Sequence, residues 1–374
     1  MERDTLKALL RASCGAIESG ENFFLRDPRF APMTLEASDK NRAQLDGSNG
    51  RGWLRVATGG TSAEPRWARH DERTLTAAVQ GFCAHFSLKR VNAVDVLPAY
   101  HVSGLMARVR CAETGGRHLA WSWKQIEAGE RPELDAAQGD WVLSLVPTQL
   151  QRLLISPDAV AWLRGFKVIF VGGGPVWPEL ADAGALAELR LSLSYGMTET
   201  AAMVAALRPE EFLAGARSCG GALPHARIAL DADGRIGIAG ESVFRGYDTN
   251  LITDEIFWTE DLGRWDRHGH LEVLGRRDAV IITGGKKVQP QEVEAALRAS
   301  GEFSDVVVIG VPDSEWGEIV VACYPPSERA PNLAHAVAGL HGAVKPKRFL
   351  MVADWPRSPI GKINRAQLKA WALK

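Results

Sequence analysis

The sequence predicts an α/β protein: a large N-terminal layered α/β domain with a β-rich subdomain, followed by a small α+β unit at the C-terminal end. Three observations predict it. Short apolar strand-like runs alternate with helical patterns through most of the first 200 or so residues. From about Arg227 the texture changes to short strands separated by turn signals, and after Gly275 a new set of strands and helices begins. Strands alternating with helices are the pattern of a layered α/β domain.

In the first part, a helical pattern over Leu75 to Leu88 precedes a strand-like Val94 to Leu97. A second helix, over Gln149 to Leu163, precedes the strand-like Val168 to Val171. Each strand is short and β-branched or apolar. In ALDADGRIGI and GRWDRHGHLEVLG, the triplets Asp-Gly-Arg and His-Gly-His sit between alternating residues and predict hairpins. The last part carries a strand at Val280 to Ile282, a helix from about Gln291, a strand at Val306 to Ile309 and an amphipathic helix near Arg365 to Leu373.

Composition narrows the partners. The 44 Lys+Arg balance 45 Asp+Glu to a formal charge of -1, so no global positive field is available for nucleic acid or an anionic membrane. Small molecules are the expected partners, and self-association into a homo-oligomer stays open. Hydrophobic residues at 46% and charged ones at 24% are those of an ordinary packed domain. The five cysteines are scattered and form no C-x-x-C pair, which points to reduced thiols and a cytoplasmic setting. No apolar run approaches the ~20 residues of a membrane span, and the first residues, MERDTLKALLRASCG, lack an export signal.

Four stretches carry chemistry. In Val56 to His70, a strand-like start runs into Thr58, Gly59, Gly60, Thr61 and Ser62 before Pro65 and Arg66. Glycines allow close backbone approach, hydroxyls add donors and a basic residue adds charge, so the segment can cradle a polyphosphate; a plain flexible turn is the alternative. In Ser194 to Thr200, Tyr195 emerges at a strand end, where α/β sheets place ligands. Tyr195 can stack on a base, Thr198 can donate to phosphate and Glu199 can hold Mg²⁺, although an acid at a helix start is also an ordinary capping choice. Upstream, Gly172, Gly173, Gly174 and Pro175 follow a strand directly and leave bare backbone for a flat base or for a tight turn. The third stretch, Trp258 to Glu294, holds Asp261 and Arg276, which can grip a ribose diol or be surface turn residues. In the fourth, Pro359 and Gly361 set Lys362 at a loop tip before a helix.

In order and spacing these stretches resemble the signature set of the adenylate-forming acyl-CoA synthetase superfamily, which also includes luciferases and the adenylation domains of peptide synthetases. The resemblance runs from about Val56 to Arg365. Its most specific pieces are Tyr195-Gly-Met-Thr-Glu199, the stretch from Gly275 to Glu294, and Pro359-x-Gly-Lys362-x-x-Arg365. It implies a phosphate loop at Thr58 to Arg66, an adenine site at Gly172 to Pro175 with Tyr195 and Gly196, phosphate and Mg²⁺ contacts at Thr198 and Glu199, and ribose contacts at Asp261 and Arg276. It further implies a hinge at Asp278 that divides residues 1–277 from a mobile domain of residues 278–374, with Lys362 as the adenylation lysine. Gly284, Gly285 and Lys287 are the implied coenzyme A contacts. Ligands implied are ATP, Mg²⁺ and coenzyme A.

The phosphate loop departs from the family's T-S-G-T-T-G-x-P-K: Gly59 loses a hydroxyl, Ala63 stands where a glycine is usual, and Arg66 keeps the charge. Glu260 replaces the glycine common before the aspartate. Within the superfamily, the short chain, His101-Val-Ser-Gly-Leu105 and the run Val146 to Leu154 resemble the 2-succinylbenzoate–CoA ligases of menaquinone or phylloquinone biosynthesis. That resemblance implies His101 and Ser103 at the acyl pocket, with Arg108, Arg110 or Thr148 as partners for a second carboxylate. Ligases for other aryl or fatty acids, and a nucleotide-binding regulatory protein of the same fold, are the alternatives.

Overall fold

The computed structural model describes residues 1–27, 51–58, 66–248, 252, 254–357 and 363–373. Its centre is a seven-stranded sheet of β5 (Asn92–Asp95), β6 (His118–Ala120), β7 (Trp141–Leu145), β8 (Val168–Val171), β9 (Leu191–Met197), β10 (Ala202–Ala206) and β11 (Gly221–Ala222). Its order is β11-β10-β9-β8-β7-β5-β6, with β5 to β9 parallel and the other two antiparallel. The chain lays down β5 and β6, then returns to the other side of β5 for β7. The strand order therefore reverses between β5 and β7, and in an open α/β sheet the crevice beyond the strand ends at such a point is where ligands bind.

Alternation along each strand sends neighbours to opposite faces. Leu143, Ile169, Val171 and Leu191 join one core, and Val142, Val168 and Phe170 join another with Phe82 and Phe86. Both faces are thus buried, as a parallel sheet requires. Emptying one such position, Leu143→Ala for example, would cost about 2–5 kcal/mol.

Three smaller sheets surround this frame. β1 (Ile17–Ser19), β2 (Asn22–Leu25), β3 (Leu54–Ala57) and β4 (Trp67–His70) form a sheet in that order, of which only the end of β3, from Val56, was legible in the sequence. The predicted hairpins appear as an antiparallel sheet of β12 (Ala226–Leu230), β13 (Arg235–Gly240), β14 (Phe257–Trp265) and β15 (Leu271–Arg276). The C-terminal unit gathers β16 (Ile281–Thr283), β17 (Lys286–Val288), β18 (Val307–Asp313), β19 (Gly317–Tyr324) and β20 (Arg348–Met351), with helices Pro290–Ala299 and Arg365–Ala372.

Two expectations change in detail. The single helix expected over Gln149 to Leu163 is two helices, Pro147–Leu153 and Pro157–Leu163. Ser156 caps the second through Ala159 N and Pro157 opens it, so the chain stops and restarts where proline has no amide to donate. The strand expected at Val94 to Leu97 ends at Asp95, whose carboxylate accepts from the Leu97 amide at 3.1 Å and turns the chain out of the sheet. Among the described residues, no helix is long and apolar enough to cross a membrane.

Candidate active site

β9 ends in Met197, and Thr198–Thr200 form a single 3₁₀ turn before the chain reverses into β10. The reversal is tight. Ala201 and Ala202 take φ of 52° and 83°, a region costly for residues with a Cβ, and a Cβ on Gly196 would sit 2.0 Å from the Ala202 carbonyl oxygen. What holds the turn is a residue the sequence reading passed over. His70, at the end of β4, is fully buried, and its Nε2–H donates to the Thr198 carbonyl at 2.7 Å while Nδ1 pairs with the Thr74 hydroxyl at 3.0 Å. Burial pushes its pKa down to about 4, so the ring is neutral at physiological pH.

The turn presents Glu199, 7% exposed, with Thr198 half-buried beside it. The Tyr247 hydroxyl donates to Glu199 Oε1 at 2.6 Å, and the Phe244 amide donates to the Glu199 carbonyl oxygen at 2.8 Å. Burial first, then the Glu199 charge, raise the Tyr247 phenol, which stays a donor. The Arg66 guanidinium lies 4.7 Å from the centre of the same ring. One tyrosine thus carries both the expected metal carboxylate and the cation at the end of the expected phosphate loop. Among the described residues, no three His, Cys, Asp or Glu side chains gather as a metal site. A lone buried carboxylate still fits Mg²⁺, which keeps water and phosphate oxygens as its other ligands.

Further along the sheet edge, Tyr195 lies in the core with Val204, Ala205 and Ile236, 8% exposed. Its hydroxyl donates to Asp261 Oδ2 at 2.8 Å. Burial, and then the Asp261 charge, hold the phenol far above its usual range, so it too remains protonated. Asp261 and Arg276 oppose each other across β14 and β15, with Nη1 3.4 Å from Oδ1. Arg276 makes its better bonds elsewhere: Nε and Nη2 grip both oxygens of Asp278 at 2.8 and 2.7 Å, and these bonds raise its pKa. The expected ribose arginine and the expected hinge aspartate are therefore one ion pair. Glu260 is drawn away from the site by Arg235 at 3.1 Å and Arg277 at 3.0 Å.

Gly172, Gly173, Gly174 and Pro175 follow β8 on a loop beside Val146 and Pro147, and the last three are exposed. His101 occupies the N-cap position of helix Val102–Thr114, its ring 4.7 Å from that of Tyr100, with Ser103 half-buried on the first turn. The three residues expected to meet a second carboxylate separate. Arg108 lines a cavity of about 380 Å³ at the ends of β5 and β6, with Gln149 and Trp121. Arg110, two positions on and so on the other side of the helix, packs its guanidinium 4.0 Å from the Phe82 ring, where burial lowers its pKa to about 10. Thr148 does not line the cavity; its neighbour Gln149, not singled out in the sequence, does.

In the C-terminal unit, Gly284 and Gly285 have φ of 55° and 74°, both positive as a two-residue type I′ hairpin between β16 and β17 demands. Lys287 is exposed on β17. The Gly284 amide donates to the Trp316 carbonyl at 2.9 Å, and Trp316 lies under the Lys347 ammonium. Arg298 of this unit lies 5.3 Å from the Trp177 ring, just past the glycine loop. Gly59, Gly60, Thr61 and Ser62 of the expected phosphate loop, and Lys362, lie outside the described residues.

A parallel sheet with an acid-bearing turn at its edge, an aspartate held by a tyrosine, and a separate small α+β unit define a nucleotide-handling α/β enzyme. Residues 56–248 match the AMP-binding enzyme family and residues 292–362 match the AMP-binding enzyme C-terminal domain; the chain belongs to the AMP-binding enzyme family. It is 33% identical over 336 residues to a probable 2-succinylbenzoate–CoA ligase of Mycobacterium tuberculosis (strain CDC 1551 / Oshkosh), covering 84% of this chain and 83% of the relative. It is 28% identical over 349 residues to the 2-succinylbenzoate–CoA ligase of Listeria monocytogenes serotype 4b (strain F2365), covering 91% and 72%. In fold it is similar to o-succinylbenzoate CoA synthetase of Bacillus subtilis, solved with its acyl-adenylate intermediate, with a TM-score of 0.73, 24% identity, and 85% of this chain and 69% of that one covered.

Proposed function

We propose that this chain activates 2-succinylbenzoate with ATP and passes the acyl group to coenzyme A, releasing AMP and pyrophosphate through an acyl-adenylate. The observation that carries the reading is the sheet edge itself, where Glu199 on its turn and the Tyr195–Asp261 pair stand together in a chain one third identical to a probable ligase for that acid.

A carboxylate is a poor electrophile, so it first attacks the α-phosphate and makes AMP its leaving group. The residues do this by positioning and electrostatics. Asp261, fixed by the Tyr195 hydroxyl, is the carboxylate that accepts from the ribose hydroxyls. Arg66, fixed on Tyr247, offers its guanidinium to the departing pyrophosphate. Bound Mg²⁺ supplies charge neutralisation at the phosphates, and Glu199 is the residue that holds it. Lys362 donates to the α-phosphate and the attacking carboxylate as charge is redistributed. For transfer to the thiol, residues 278–374 rotate about Asp278, Lys362 withdraws, and the Gly284–Gly285 turn with Lys287 lines the approach of the pantetheine arm. The Arg276–Asp278 pair, reaching from β15 to the hinge, is what that rotation disturbs. The reaction belongs in the cytoplasm, where ATP and reduced thiols are maintained and where the five free cysteines stay reduced.

The test is one substrate panel. Purified protein with ATP, Mg²⁺ and coenzyme A is given 2-succinylbenzoate, benzoate, a cinnamate or a medium-chain fatty acid, and thioester is measured. The first acid forms it best; efficient turnover of another acid alone rejects the substrate.

A further inference from the structure

Trp177 and Arg298 meet across the expected domain boundary at Asp278. Trp177 occupies the N-cap position of helix Pro178–Leu186, two residues past Pro175, and its extended backbone is the one a following proline imposes. Its ring packs against the core of the central sheet. Arg298, in the last turn of helix Pro290–Ala299, brings its guanidinium carbon over that ring, 5.3 Å from the centre. At that distance a guanidinium is held by the negative face of an indole.

Arg298 is not a loose surface cation. Its Nη2 donates to the Val306 carbonyl at 2.6 Å and lies 3.8 Å from both Glu294 Oε2 and Asp305 Oδ1. Each of these acids holds a second arginine. Buried Glu294 has its Oε1 2.7 Å from Arg365 Nη2 and accepts from the Val308 amide at 2.8 Å. Asp305 Oδ2 accepts from Arg357 at 2.5 Å and from the Trp355 indole at 2.9 Å. Arg357 bridges to Ile363, and the Asn364 amide donates to the Pro356 carbonyl at 2.9 Å. The chain on both sides of residues 358–362 is therefore tied to the two acids that flank Arg298, and Arg298 is tied to Trp177. Docking also meets resistance at this boundary: Gln289 and Gln291 crowd Gly275, and the Oε1 of each is buried with no donor among the described residues. Such acceptors oppose docking, so a single favourable contact weighs in the balance.

We propose that Arg298 is a positioning residue: through Trp177 it docks residues 278–374 on the N-terminal domain in the orientation that forms the acyl-adenylate. The two half-reactions it distinguishes rest on the function proposed above, while the docking contact rests on Arg298 and Trp177 alone. Arg298→Gln keeps a donor for the Val306 carbonyl and loses the cation. Trp177→Leu keeps an apolar side chain against the core and loses the ring, and Trp177→Phe restores a ring. These variants and Trp177→Leu/Arg298→Gln are assayed in the full chain for acid-dependent ATP–pyrophosphate exchange, with the acid that the substrate panel favours, and for acyl transfer to coenzyme A from the synthetic adenylate of that acid. AMP affinity is measured by calorimetry. Trypsin cleavage after Arg276 or Arg277 reads undocking without catalysis, because cleavage of a transiently opened state tracks its population.

In Arg298→Gln and Trp177→Leu the maximal rate of exchange falls about 3- to 30-fold, the worth of a partly desolvated cation–ring contact. The double variant falls no further than the worse single one, as two halves of one contact must. Trp177→Phe recovers most of the loss, acyl transfer does not fall, AMP affinity holds, and cleavage at the hinge quickens by a similar factor. Unchanged exchange, equal losses in both half-reactions, losses that multiply in the double variant, or a Trp177→Phe no better than Trp177→Leu overturn the positioning role. If no acid supports exchange in wild type while the variants are cut faster at the hinge, the docking contact stands and the function proposed above falls.

Discussion

His70 gives the sharpest physical test, because one buried ring ties the Glu199 turn to the protein's stability against acid. Its pKa in the fold is about 4, against an ordinary 6.5, and burial is the cause. The sign follows from proton counting. Between these values the unfolded chain binds a proton that the folded chain excludes, so stability is full above about pH 6.5 and is lost as pH falls toward 4. Going from pH 7.5 to 4.5, linkage makes the loss from this ring about 2.5 kcal/mol. His70→Gln offers an amide donor to the Thr198 carbonyl and cannot titrate. Urea unfolding followed by tryptophan fluorescence, at half-unit steps over that range, gives each protein's curve. His225, also pushed down to about 4 by burial, is common to both and cancels in the difference. The variant is less stable at pH 7.5, because the amide replaces only one of two hydrogen bonds, and the two curves converge by about 2.5 kcal/mol toward pH 4.5. Parallel curves would show that His70 is not what resists protonation, and would leave the neutral ring without support.

Three further outcomes follow from the site. Glu199→Gln keeps the shape that meets Tyr247 but loses the anion, so half-saturation by Mg²⁺ in ATP–pyrophosphate exchange rises about 10- to 100-fold with little change in Tm; an unchanged magnesium titration rejects the role. Asp261→Asn places an amide donor before either Tyr195 or Arg276, and weakens AMP binding measured calorimetrically by about tenfold or more. If affinity holds while Tm drops sharply, Asp261 is structural. Lys362→Ala lowers adenylation by about 10²–10³, the usual cost of one preorganised donor, yet still transfers the acyl group from synthetic 2-succinylbenzoyl-adenylate to coenzyme A. Equal loss in both half-reactions refutes the domain rotation.

The layered sheet was legible because its strands are short apolar runs between helical periods, and burial on both faces leaves little else for such runs to do. The hairpins were legible from Asp-Gly and His-Gly turns. What the sequence hid were features whose signal is spread over distance. The first four strands are only three or four residues long, and β2 joins β3 in parallel from more than twenty residues away. No local period reports such a pairing. The break at Pro157 was written in the sequence as Ser-Pro, but a continuous apolar period across it reads as one helix unless the cap is given priority over the period.

The site divides in the same way. Glu199, Tyr195 and Asp261 stand in stretches with a recognisable order, and the structure brings Tyr195 and Asp261 to one hydrogen bond across 66 residues. His70 and Tyr247 were missed because neither carries a motif's chemistry: His70, at the end of its stretch, acts through a backbone carbonyl, and Tyr247 acts through a single hydroxyl. The same logic separates Arg108 from Arg110. In sequence they are equivalent arginines two positions apart; on a helix, two positions are about 200° of rotation, enough to send one to Asp95 beside the cavity and the other onto Phe82. A buried cation is informative through what it rests against, because its desolvation must be offset by a charge, an acceptor or a ring. Arg110 has a ring to lie on and Arg276 has Asp278. Arg108 has Asp95, so its loss strands a buried carboxylate, whereas Arg110, whose Nε has no acceptor among the described residues, rests on Phe82 and its loss belongs in packing.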